Sequence, residues 1–238
     1  MSVEHLLVDY GDQQIAVSVV RRARRTLEIA VEPDATVSVA APHEASVGSI
    51  VIKVRRRGAW IRRQQRYFQQ FLPRTPERQF VAGETLRYLG RQYRLKIQPH
   101  IQQEAKLQRG YLVIQTTQPG SPSVTRNLVE DWYRRRARTK FLERLEFNLQ
   151  RFPDPELFRP SGLLIRKVGQ RWGSMSPRKR LLLNVRLVQA PIDAIDYVIT
   201  HELCHMAEPH HGPRFLELLQ RVLPDWESRK LKLERSMS

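Results

Sequence analysis

The sequence predicts an α+β protein: a β-rich N-terminal region with a long basic helix, then a compact C-terminal part built around a helix bearing His201-Glu202-Leu203-Cys204-His205. Three observations carry this reading. Apolar residues alternate with a period of two over much of the first 120 positions. They recur at helical spacing in three longer stretches. The Pro-, Gly- and Ser-rich run from Gln118 to Ser123 reads as a linker, so the expected domains are 1–120 and 121–238.

Taken in order, Ile15, Val17 and Val19, then Leu27, Ile29 and Val31, then Val37 and Val39 mark strands, with a turn at Glu32-Pro33-Asp34-Ala35. A helix is expected from about Glu44 to Phe71. Val47, Ile50, Val51, Val54, Ile61 and Phe68 lie near helical spacing, and arginines such as Arg55, Arg56, Arg62 and Arg63 cover the remaining surface. Four short strands follow (Thr85–Leu89, Gln92–Ile97, Lys106–Gln108 and Tyr111–Thr116), with hairpin turns at Gly90 and Arg109-Gly110, giving a small antiparallel sheet. A long helix runs from about Val124 to Phe152. Strands are expected at Leu163–Val168 and Arg180–Asn184, and another helix from Pro191 to Glu208.

Composition narrows the function classes. No run approaches the ~18 apolar residues of a membrane span, and the N-terminus lacks the basic start and apolar core of a secretory signal, so a cytoplasmic protein is the expectation. The single cysteine, Cys204, leaves no internal disulfide and no Cys-rich zinc cluster, so a metal would be held by His and carboxylate. The net charge of +17 is uneven, with 13 Lys and Arg against two carboxylates over residues 51–100. Such a region either attracts nucleic acid, with strong salt dependence, or forms a solvated Arg-rich helix surface.

The pentad at 201–205 is the strongest chemical signal. Residues four apart stack on one helix face, so His201 and His205 can bind one zinc ion, with Glu202 beside it as general base for a water there. Wheel geometry puts Ile192, Ile195, Ile199, Leu203 and Met206 on one apolar stripe and Tyr197, Val198, His201 and His205 on another face. Catalytic zinc takes three protein ligands. The next candidates are Glu208, His210 and His211, where Pro209 and Gly212 turn the chain back. Cys204 is rotated off the ligand face and reads as a packing residue, and the scattered His5, His43 and His100 have no assigned role.

Beyond the pentad, Arg171-Trp172-Gly173-Ser174, Asn184, Leu187, Pro191, Tyr197-Val198-Ile199, His211 and Phe215 resemble the YgjP-like metallopeptidases, small zincins related to SprT-like proteins. The stretch from Gly83 to Leu95 resembles that family's N-terminal hairpin region, and Met175 departs from it, standing where the family usually has Cys. The resemblance implies a zincin-type domain whose third ligand is His211, six residues beyond His205 and four before Phe215, with His210 as the fallback. It also implies that Arg171, Trp172 and Ser174 belong to an edge strand pairing with an extended peptide. The competing reading has Trp172 plugging the core and Arg171 in a structural ion pair.

The expected function is therefore a zinc metallopeptidase with Glu202 as general base, Zn2+ as its metal and no organic cofactor, acting on a peptide or protein. Two alternatives stand beside it. One is a nucleic-acid-associated protein with a structural or inactive zinc site, using the basic region 51–186. The other is a zinc hydrolase of non-peptide amides.

Overall fold

A computed structural model of the chain describes residues 3–32, 34–69, 78–169 and 171–237. They form two units, 1–76 and 77–237. In the first, strands β1 (Val3–Tyr10), β2 (Gln13–Arg22), β3 (Glu28–Val31) and β4 (Val37–Pro42) form one sheet in the order β1-β2-β4-β3. The expected strands are present, and β1, which the apolar alternation did not single out, is added as the hairpin partner of β2. At the turn before Thr36, Ala35 takes positive φ and its N–H bonds to Glu32, while position 33 lies outside the described residues.

The single helix expected over 44–71 is two: α1 (Val47–Arg56), capped by Ser46 on the Ser49 N–H, and α2 (Gly58–Gln69). Phe71 lies outside the described residues. The break falls at Arg57, next to Gly58, the poorest helix former in the stretch after proline. Gly58 is needed there because a Cβ would come within 2.3 Å of the Tyr10 ring. Ile50, Val54 and Ile61 from the two helices pack with Ile15, Val17, Val19, Val37 and Val39 as this unit's core.

The second unit repeats the topology. Strands β5 (Thr85–Tyr88), β6 (Arg91–Pro99), β7 (Glu104–Gln108) and β8 (Tyr111–Thr116) lie in the order β5-β6-β8-β7. This sheet is mixed, because two antiparallel hairpins join through the parallel pair β6 and β8; the antiparallel expectation is corrected there. Both hairpin turns have two consecutive positive-φ residues, Leu89-Gly90 and Arg109-Gly110, as two-residue turns require.

Helix α3 (Pro122–Leu149) follows, and the linker expected at 118–123 is its entry: Ser121 accepts from the Val124 N–H and Pro122 occupies the first turn. The segment lies inside the second unit, since α3 packs on β7 and β8 and shares one core with Leu86, Leu95, Leu112 and Ile114 through Val129, Trp132 and Phe141.

Beyond α3, strands β9 (Gly162–Arg166), β10 (Gly173–Met175) and β11 (Arg180–Asn184) form a sheet in the order β10-β11-β9. A 3-10 turn (Val185–Gln189) leads into α4 (Ile192–Cys204), and α5 (Pro213–Val222) and α6 (Trp226–Met237) close the unit. The tip of the β5–β6 hairpin bonds this turn through Leu89 N–H to Val188 and Gly90 N–H to Gln189. Gly90 also lies so close to Pro191 that a Cβ would meet it at 3.0 Å, so the hairpin locates the start of α4.

Helix α4 is buried almost all round. Ala194 to Thr200 and Glu202 to Cys204 are all buried; of the expected apolar stripe Ile195, Ile199 and Leu203 are fully buried, while Ile192, 39% exposed, departs from it. The reason is that α3, α5, α6 and β10 all pack against it. Burial on that face requires Asp196 to be paired. Its carboxylate accepts two hydrogen bonds from Arg144 at 2.8 and 2.7 Å and one from the Asn148 amide at 2.9 Å. Arg229 of α6 lies 3.7 Å away, and Thr200 donates to Asn148 at 3.2 Å. One buried carboxylate thus ties α3, α4 and α6 together.

Candidate metal centre

Helix α4 carries His201 and Glu202 in its last turn, and His205 is its C-terminal cap residue, three residues short of the end expected at Glu208. The chain then turns back through Pro209 and a tight Gly212 N–H to His210 carbonyl bond of 2.7 Å, so that α5 starts at Pro213. This reversal carries His211 over the helix end. One ring nitrogen from each of His201, His205 and His211 lies within 4.8 Å of the others. Glu208 and His210 are not in that cluster; the Glu208 carbonyl instead lies 3.0 Å from His205 Nδ1, which leaves Nε2 of that ring to face the cluster.

Phe215, 1% exposed on the first turn of α5, backs all three imidazoles at ring separations of 5.0, 4.6 and 4.8 Å. Tyr197 packs 5.7 Å from the His201 ring and stacks on Trp226, a buried packing role. Cys204 is fully buried, with its thiol pushed up to about 12 by desolvation, as a packing residue should be.

The electrostatics favour neutral rings. Burial first, then His205 and His211, push His201 down to about 3, and burial lowers His211. Neutral imidazole is the metal-binding form. The Nε2 atoms of His201 and His211 are 3.0 Å apart, while Nδ1 of His201 is buried without a hydrogen-bond partner among the described residues. Three imidazole nitrogens facing one another, with no carboxylate among them, form a set that a divalent cation satisfies. The donors fit Zn2+.

Glu202 lies 7% exposed between α4 and β10. Desolvation raises its carboxyl to about 7, against the opposing effects of the Met175 backbone hydrogen bond and the Arg171 charge. Gly173 fits under it so closely that a Cβ would come 2.8 Å from Glu202 Cγ. Neither the glycine nor the Met175 N–H was singled out from sequence. The signal for Gly173 was present in the Arg-Trp-Gly-Ser run, but its cause is a neighbour 29 positions away. The Cys-to-Met departure at 175 leaves this contact intact, because the contact is made by backbone.

β10 stands at the end of its sheet in the observed order. The Asn184 N–H bonds to Trp172 and the Ser176 N–H to Arg180, so residues 172, 174 and 176 face β11 and the alternate residues, Gly173 and Met175, turn their backbone groups to the outer edge. The buried Asn184 amide donates to Val168 and Arg171 carbonyls and holds the loop entering β10. Trp172 is partly buried against the core, Arg171 is exposed, and Ser174 lines a groove on the sheet face away from Glu202.

A family model described as the YgjP-like metallopeptidase domain matches residues 25–236. The chain belongs to that family. The YgjP-like match spans both structural units, from inside the loop before β3 to the last turn of α6. No curated protein matches the chain. Membership makes this a metallopeptidase-type chain with a metal as its expected cofactor and a peptide or protein as its expected substrate class. Among the described residues no helix is long and apolar enough to cross a membrane.

Proposed function

We propose that this chain is a zinc-dependent peptidase in which His201, His205 and His211 hold the metal and Glu202 is the general base. The observation that carries the reading is the convergence of three imidazoles at the end of the helix that also presents a buried carboxyl of raised pKa. Zinc held there would polarise a scissile carbonyl and bring the pKa of a water towards about 7. The chain's own residues do the rest. Glu202, held by the Met175 N–H and seated over Gly173, takes the proton of the attacking water and delivers it to the leaving amine.

An extended substrate pairs with the outward N–H and carbonyl of Gly173 and the outward carbonyl of Met175, whose N–H is kept by Glu202, and this aligns its peptide bond along β10 beside Glu202. In this arrangement Trp172 acts by supporting the strand from the core side. Arg171 adds positive charge near Glu202, and Ser174 meets substrate on the far face. Family membership supports the hydrolase class, and the donor set supports zinc.

The test is cleavage of an unfolded protein by zinc-supplemented wild type beside Glu202→Ala. The expected result is full zinc content in both and turnover at least ~100-fold lower in the variant, the range for loss of a general base. Equal turnover would overturn the assignment of Glu202, and turnover of small amides without any peptide cleavage would replace the peptidase by a non-peptide amide hydrolase.

A further inference from the structure

The three-stranded sheet has two different faces. Leu181 and Leu183 of β11 are fully buried on the face that carries Glu202. The other face has Leu164, Leu182 and Ser174 side by side in one register row across β9, β11 and β10. With Ser176, Arg178 and Arg180 of the β10–β11 hairpin they line a groove of about 380 Å³. Its floor is two leucines, its wall at the free strand is two small serines, and its cations are two exposed arginines that make no ion pair among the described residues. No carboxylate lines it among the described residues.

The charge bias extends along the chain. Residues 157–192 contain eight Lys and Arg and no Asp or Glu. Arg159 is paired with Glu146 of α3 and with Glu156 of its own loop, and Lys167 with Glu130 of α3, which leaves the excess positive charge around β9, β10 and β11.

We infer that this groove is a substrate-specificity subsite that takes an acidic side chain, Glu or Asp, of the peptide paired on β10. The inference rests on the peptidase reading for its placement. A strand added to the free edge of β10 alternates its side chains between the two faces. The residue whose side chain points towards Glu202 is therefore flanked by residues pointing over Ser174 into the groove. A glutamate there extends over Ser174 towards Leu182, the strand spacing of about 4.8 Å leaving Leu164 beyond its reach, and the long side chain of Arg178 or Arg180 meets its carboxylate. Ser174 and Ser176 are small enough to leave the way open.

The experiment uses the full chain carrying Glu202→Gln, so that nothing is cleaved, and fluorescein-labelled short peptides that are neutral except for one position holding Glu, Gln or Lys. Fluorescence anisotropy is expected to give at least ~10-fold tighter binding for Glu than for Gln at one position, as one charge-assisted contact provides. That preference should shrink with salt, disappear in Arg178→Ala/Arg180→Ala and turn towards Lys in Arg178→Glu/Arg180→Glu. Circular dichroism of these surface variants checks that they are folded. Equal binding of Glu and Gln peptides at every position would overturn the subsite, as would a groove that takes an oligonucleotide through the same arginines while ignoring the peptide charge. If the Glu preference is found and wild type cleaves none of these peptides, the subsite stands and the peptidase reading fails.

Discussion

A single methyl group at Gly173 would collide with Glu202 at 2.8 Å, and the carboxyl is too buried to retreat into solvent. Gly173→Ala is therefore expected to leave zinc content unchanged while reducing kcat by at least ~10-fold, because about 1.4 kcal/mol of misplacement at the proton-transfer step is enough. Steady-state kinetics beside metal analysis checks it, and an unchanged kcat would show that the glycine serves only the strand. At this scale the pentad was legible from sequence because its spacing is local: residues four apart meet on any helix. His211 was legible through the family's spacing, and the cluster it joins has the rings in contact. Gly173, the Met175 N–H and the Asp196 network were not, since each depends on partners 27 or more positions away.

Among elements, α4 carries His201 and Glu202 and is capped by His205, and its position is fixed from several sides. The Asp196 carboxylate holds Arg144 and Asn148 of α3, with side-chain exposures of 4% for Asp196 and 14% for Arg144. Asp196→Ala strands a largely buried guanidinium and is expected to cost about 3–5 kcal/mol of stability, measurable by urea denaturation. A loss under about 1 kcal/mol would show that packing alone fixes the helix. The wheel of α4 placed Ile195, Ile199 and Leu203 in the core but missed the exposure of Ile192, because a helix surrounded by α3, α5, α6 and β10 has little solvent-facing surface to set its periodicity. The same limit explains the mixed sheets. Alternation identifies strands and Gly marks the hairpin turns, but the parallel pairing of β6 with β8, and of β2 with β4, is made between hairpins and leaves no mark in either one. The two sheets nevertheless share the order of two hairpins joined in parallel, each followed by helix.

Across the whole molecule, two separate cores imply two cooperative units. The residues proposed to hold the metal all lie in 77–237. A metal that binds only the folded second unit stabilises that unit by about 4 kcal/mol at a concentration 1,000 times its Kd. Scanning calorimetry with and without a chelator is expected to show one transition lowered by about 8–16 °C on that scale, while the transition of the first unit stays in place. Movement of both by the same amount would mean that the units unfold together. The metal centre itself is tested by elemental analysis of protein purified without added metal, wild type beside His205→Ala. About one zinc per wild-type chain is expected, and none in the variant; a wild type that takes up no zinc even when zinc is supplied would overturn the metal centre.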